Sequence, residues 1–346
     1  MRKILIFAVL VMILAIPVSA VDIEAPEVPE SGKDFMPSNQ ETFADGLMEV
    51  LHDAIAHFQP DLKEASGVCL GVIAAAMAVS VIQSMPGMTK KTADIAGAIA
   101  VSVILLKSAN SLINLGAETV AEISEYGKLL LPVMTAAMAA QGGVTASTAI
   151  YTGTAFFDAL LSSLISKLLT PMLYLLLALA AANSAVGEDV LKKLRDTMKW
   201  LMTWSLKIIL YVFTGYIGIT GVVSGSTDAA TLKAAKLTIS GMVPVVGGIL
   251  SDASEAVLVS VGAVKNAAGI YGIFAILAVF LGPFLKIGAH YLMLKATAAV
   301  CGVFGSKRIT DLIQAFSGAM GLVLAMTGTV CLMLMISTFC FMKGVG

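Results

Sequence analysis

Six long, almost unbroken apolar stretches constrain this chain more than any other feature: roughly Gly67 to Met85, Ala93 to Leu115, Phe156 to Val186, Trp200 to Val223, Ala268 to Leu294 and Ile313 to Met342. Each is near or above the ~20 residues that a helix needs to cross the hydrocarbon layer. Inside that layer no water is available to backbone N–H and C=O groups, so such stretches are helices. Composition supports this: 58% of residues are hydrophobic and 13% charged, with a mean hydropathy of +0.91. Soluble domains carry about a quarter charged residues. The expected fold is an all-α polytopic membrane protein of about six transmembrane helices, with re-entrant or interfacial amphipathic helices between them.

Three regions follow from the pattern. Residues 1–20 read as a signal peptide: Arg2 and Lys3, an apolar core from Ile4 to Ile16, then Pro17 and the small-residue pattern Val18-Ser19-Ala20. Cleavage after Ala20 exports the new N-terminus. Residues 21–65 form an exported acidic segment, with eleven acids and two bases between Asp22 and Glu64. Its prolines, Pro26, Pro29 and Pro37, suit an extended and mobile stretch. From Glu41 to Gln59, Phe43, Leu47, Val50, Leu51, Ala54, Ile55 and Phe58 share one helical face, as in an amphipathic helix on a membrane surface or against a partner. Residues 66–346 form the polytopic membrane domain.

Two weaker segments, Leu129 to Ala149 and Met242 to Val264, contain Pro or Gly-Gly and are candidates for dips into the bilayer. Positive-inside reasoning places Lys90 and Lys91, the Lys192, Lys193, Arg195 and Lys199 cluster, and Lys295, Lys307 and Arg308 in the cytoplasm. Glu118, Glu122 and Glu125 then face outside. With an exported N-terminus, six crossings satisfy these assignments if both weak segments re-enter or lie at the interface. Pro132-Val133 recurs as Pro244-Val245 and Pro171 as Pro283, both at an offset of 112 residues. That is a weak internal repeat of the parallel kind known from transporters, or a coincidence.

Intramembrane charges cost ~2.5–3.5 kcal/mol at mid-bilayer and are functional candidates by default. Lys107, Asp158, Lys167, Lys207, Lys286 and His290 fall within or near spans. Lys286 and His290, four apart, share a helix face and suit a polar path or an anionic group. The plainer reading is that such lysines snorkel to the surface. The polar small-residue stretch Gln141 to Thr154 suits either a re-entrant turn or close helix packing. Cys69, Cys301, Cys331 and Cys340 lie in apolar runs as small core residues.

Residues 224–269 stand apart, because Asp228, Lys233, Lys236, Asp252, Glu255 and Lys265 occur at helical spacings between two apolar spans. Ser226 or Thr227 can cap a helix with Asp228 in its first turn. Pro244 ends that helix, and Gly247-Gly248 permits a change of direction. Ser251 or Asp252 can cap the next, with Glu255 completing a capping box. This outer helix-break-helix suits either a stiff collar for protein contacts or a broken pair aimed at an ion or substrate. Enzyme signatures are poor: His52 and His57 are five apart, no H-E-x-x-H or G-x-S-x-G occurs, and Gly302 to Lys307 lacks phosphate-loop spacing. No metal or cofactor is expected.

Thr231-Leu-Lys233-Ala-Ala-Lys236, Pro244-Val245-Val-Gly247, Ser251-Asp252-Ala-Ser-Glu255 and Val264-Lys265-Asn266-Ala-Ala-Gly269 resemble the stage III sporulation protein AE family of endospore-forming bacteria. The order of signal peptide, exported segment and polytopic body agrees. The resemblance implies a non-enzymatic subunit in the mother-cell membrane around the forespore, part of the channel complex joining the two cells. It implies as partners membrane lipids, ring-forming membrane proteins, an ATPase and a forespore-side protein, and no nucleic acid. It also implies a requirement in forespore development after engulfment. The competing expectation is an autonomous secondary transporter working through Lys286 and His290 or the broken helix.

Overall fold

The computed structural model describes residues 25–37, 43–84, 89–187, 189–242, 247–304 and 307–343, the side chains of 90, 91, 189, 221–265 and 304 excepted. After a short 3-10 turn, Glu30–Phe35, the chain forms α1 (Phe43–Ala56), α2 (Gln59–Gln83), α3 (Lys90–Ala140), α4 (Val144–Leu164), a π turn (Ile165–Leu169), α5 (Thr170–Val186), α6 (Asp189–Met242), α7 (Gly247–Phe304) and α8 (Lys307–Lys343). Among the described residues, six helical stretches are long and apolar enough to cross a membrane, as the six apolar runs predict.

The helices stand side by side and reverse at two ends. At one, α2 turns into α3, α5 into α6 and α7 into α8. Gln83 Nε2 donates to Asp94 Oδ1 at 2.6 Å there, and Arg308 Nη1 donates to the Ala185 carbonyl at 3.2 Å. Gly187 closes α5 with φ +83°, a left-handed cap that costs an L side chain about 1–2 kcal/mol. At the other end α3 turns into α4 through Gln141, Gly142 and Gly143, with Gly142 at φ +90°.

α8 and α7 form the centre: 61% of the most apolar window of α8 is buried, against 22% for α6. Ile313, Phe316, Val323, Met326, Val330 and Leu334 of α8 are fully or almost fully enclosed. α3 comes close because Gly116 meets Val323 and Gly127 meets Leu334. Small residues allow such approaches where lipid offers no hydrophobic drive for helix association.

Four sequence expectations change. Pro132 lies inside α3, which runs on to Ala140, so the first weak segment is no separate dip at that proline. Leu130, Leu131 and Met134 are buried around it, and packing of that kind carries a helix through a proline. The chain reverses instead at the two glycines. Second, α6 passes unbroken through Ser226, Thr227 and Asp228, so no helix begins there; extending a helix is easier than nucleating one. Third, α7 starts at Gly247, which leaves Ser251, Asp252 and Glu255 inside the helix rather than in a cap. Finally, the proline-containing acidic segment is packed where described: Val28 is 7% exposed, and Gly32 lies against Val279 of α7.

α1 buries part of its expected apolar face against this chain, while Leu51 and Ile55 of that face stay exposed. Val50 and Ala54 are buried with Phe274 and Leu281 of α7, and Phe43 stacks on Phe274 at 5.3 Å. Lys107, Lys167 and Lys207 are all exposed on the helical body. Ala20 lies outside the described residues, and so do Pro244 and Val245, in the joint between α6 and α7.

Candidate functional site: charged and polar groups between the helices

Packing of α1 on α7 brings the start of α2 beside Lys286. Pro60 and Asp61 occupy the first turn of α2, where a proline loses no helical hydrogen bond and a carboxylate meets the positive end of the dipole. Lys286 Nζ then lies 3.2 Å from Asp61 Oδ1 and 2.9 Å from Glu64 Oε2. The three side chains are 28%, 27% and 50% exposed. Lys286 therefore already has its anions. Sequence reasoning singled out Lys286 and missed Asp61 and Glu64, whose only local signal is their i,i+3 spacing on one helix face.

His290 shares the Lys286 face and is 1% exposed. Its Nδ1 lies 3.0 Å from the Lys286 carbonyl oxygen, which makes Nδ1–H the donor in that tautomer. Its Nε2 has no partner among the described residues.

A second group lies between α3, α4 and α8. Asp158 is 3% exposed and accepts a 2.6 Å hydrogen bond from Ser124 Oγ, while its Oδ1 has no partner among the described residues. One turn earlier on α4, Thr154 Oγ1 lies 2.7 Å from Ser337 Oγ of α8. Tyr216 of α6 donates to the Ala149 carbonyl at 3.0 Å. Thr148 and Thr152 return their hydroxyls to the Val144 and Thr148 carbonyls of α4 at 2.8 Å each. The polar stretch Gln141 to Thr154 thus contains a turn, then a helix held by small-residue packing.

The residues carrying the family resemblance lie where the two longest helices meet. Asp228, Thr231, Lys233 and Lys236 fall on the last turns of α6; Gly247, Asp252, Glu255 and Lys265 fall on the first turns of α7. Their side chains, Gly247 aside, lie outside the described set. Asn266 is exposed. Gly269 packs against Met342 and Met134, at the level where α8 ends. Stretch 247–268 precedes that contact and is about 33 Å long at the helical rise of ~1.5 Å per residue.

A helical body of this kind, with these residues in this order, has relatives. The sequence matches the family described as Stage III sporulation protein AE over residues 36–344. The chain belongs to the stage III sporulation protein AE family. A curated relative, the Stage III sporulation protein AE of Bacillus subtilis (strain 168), is 22% identical over 235 residues, 68% of this chain and 59% of the relative. The chain therefore spans about 59% of the length of that relative. No solved structure matches. The match to the stage III sporulation protein AE family takes in the eight α-helices of the described residues and begins after the first 35 residues, which hold the expected leader.

Proposed function

We propose that this family member is a non-enzymatic, multi-pass subunit of the sporulation channel or secretion complex joining mother cell and forespore, required for forespore development after engulfment. It sits in the mother-cell membrane around the forespore, with residues 1–20 removed and residues 21–65 exported. The membrane domain, 66–346, presents residues 224–269 on the outer face. There this segment docks ring-forming subunits or the forespore-side partner, while the opposite end faces the ATPase. The observation carrying this reading is that the family-specific stretch is helical in its described residues on α6 and on α7, and that on α7 it precedes Gly269, which packs against Met342 near the end of α8.

Crosslinked pull-downs from sporulating cells test it. Lys233→Glu with Lys236→Glu should abolish capture of ring and forespore-side partners while membrane abundance holds. Unchanged capture removes the docking reading.

The second reading, an autonomous transporter, draws its support from Asp158 rather than Lys286. A buried carboxylate with one unpartnered oxygen suits a proton or cation relay, whereas Lys286 is bound to two acids. Solute flux into liposomes by the purified chain alone, abolished by Asp158→Asn, would put this reading first.

A further inference from the structure

Two lysines meet at one cavity without an acid to balance them. The cavity, about 670 Å³, lies between α6, α7 and α8 and is lined by Lys199, Tyr291, Lys295, Gln314, Ser317 and Gly318 among others, none of them a carboxylate. Lys199 reaches over α8: a Cβ at Gly318 would come 2.8 Å from its Nζ. Lys295 Nζ sits over the Tyr291 ring, 5.1 Å from its centroid. Neither ammonium forms an ion pair or hydrogen bond among the described residues, in contrast with Lys286.

Gathering two like charges is unfavourable, and beside lipid the cost rises because water is scarce. Neutral anchors, a glycine notch and an aromatic face, hold these ammoniums toward a shared space. What completes such a site is an anion of matching charge. The polar lining adds the Gln314 amide as a neutral donor, while Ser317 Oγ is committed to the Tyr291 carbonyl at 3.1 Å.

The surroundings point to a ligand with an apolar part. Trp200 and Trp204, next along α6, stack at 5.7 Å and are 60% and 50% exposed. Exposed tryptophans mark the headgroup level of a bilayer, and basic pockets between membrane helices hold acidic headgroups. We propose that the Lys199–Lys295 cavity binds a phosphate group, that of an anionic phospholipid headgroup or a free phosphate, with both ammoniums as its counter-charges.

Trp200 and Trp204 are the only tryptophans in the chain, so intrinsic fluorescence reports on the stretch of α6 that follows Lys199. The full chain is reconstituted in phosphatidylcholine vesicles containing a minor fraction of either brominated phosphatidylglycerol or brominated phosphatidylcholine. Brominated phosphatidylglycerol should quench more strongly at equal mole fraction. Lys199→Gln or Lys295→Gln should each lower that preference about five-fold, and the double variant about thirty-fold, at ~1 kcal/mol per lysine. Inorganic phosphate distinguishes the sources: if it erases the preference, free phosphate occupies the site; if the preference persists, the lipid is the ligand. Equal quenching by both lipids with no fluorescence response to phosphate overturns the proposal. So does a preference that survives in the double variant. A Lys192→Gln, Lys193→Gln chain removes the same charge outside the cavity and should keep the preference; its loss there would assign the effect to diffuse charge and overturn the site. Thermal unfolding of each variant confirms that the comparison is between folded chains.

Discussion

Replacing Lys286 by Met tests whether the Asp61–Glu64–Lys286 cluster holds α2 against α7. The substitution keeps most of the apolar stem and removes the ammonium, leaving two carboxylates one turn apart with no cation. Exposed ion pairs contribute ~0–1 kcal/mol, and breaking a buried one costs ~3–5 kcal/mol. At 28%, 27% and 50% exposure this trio falls between, so Lys286→Met should destabilise by about 2 kcal/mol. At ~2–4 °C per kcal/mol, that is a fall of about 4–8 °C in the melting temperature. The chain supplies its own reporters: Cys69, Cys301 and Cys331 are free and buried, and Cys340 is partly so. A thiol-reactive dye therefore becomes fluorescent as the helices separate. The triple variant Lys286→Met, Asp61→Asn, Glu64→Gln removes the stranded charges and should recover most of the loss. If Lys286→Met melts with the parent, or the triple variant melts lower still, the cluster does not hold these helices together by charge.

Substitutions at three further positions probe the packing by the same melt. Gly153→Ala drives a methyl into the Tyr216 ring, which its bond to the Ala149 carbonyl holds in place; it should cost about 1–3 kcal/mol, and a concurrent Tyr216→Leu should restore part of it. Asp158→Asn keeps an acceptor for Ser124 and should leave stability equal or raised by up to about 1 kcal/mol, whereas Asp158→Leu strands the Ser124 hydroxyl and should lower it by about 1–3 kcal/mol. Gly187→Ala forces an L residue into the left-handed cap and sets a methyl 2.9 Å from Arg308 Nη2, for an expected loss of about 1–2 kcal/mol.

The spans were readable because apolar runs of bilayer length have one backbone solution. The break expected at Pro244 falls outside the described residues. Pro132 misled for the complementary reason: a proline's local cost can be outweighed by buried neighbours, and Leu130, Leu131 and Met134 come from no local signal. Capping residues misled similarly at Ser226 and Asp252, where a side chain able to cap sits in a helix already under way. Asp61 and Glu64 were beyond sequence reasoning in this chain. Their partner lies more than two hundred residues later, and only the docking of α1 on Phe274 and Leu281 brings them together.

Helix length bears on where partners can bind. α3, α6 and α7 contain 51, 54 and 58 residues, more than twice what a bilayer requires. On α3 the apolar run ends near Leu115, and Glu118, Glu125 and Lys128 beyond it are exposed; groups of that kind need water or a polar partner. The outer face of the second half of α3 is therefore polar, while its inner face buries Val120, Ile123 and Met134 against neighbouring helices. The N-terminal segment belongs to this same tier: Ser31 donates to Glu122 of α3, and Gly32 rests on Val279 of α7. A segment so occupied with its own chain is a poor candidate for reaching another protein. On the proposed reading, partner contact then falls to α6 and α7 where they run on through residues 224–269, and charge changes there should affect complex capture more than changes at Glu30 or Asp34.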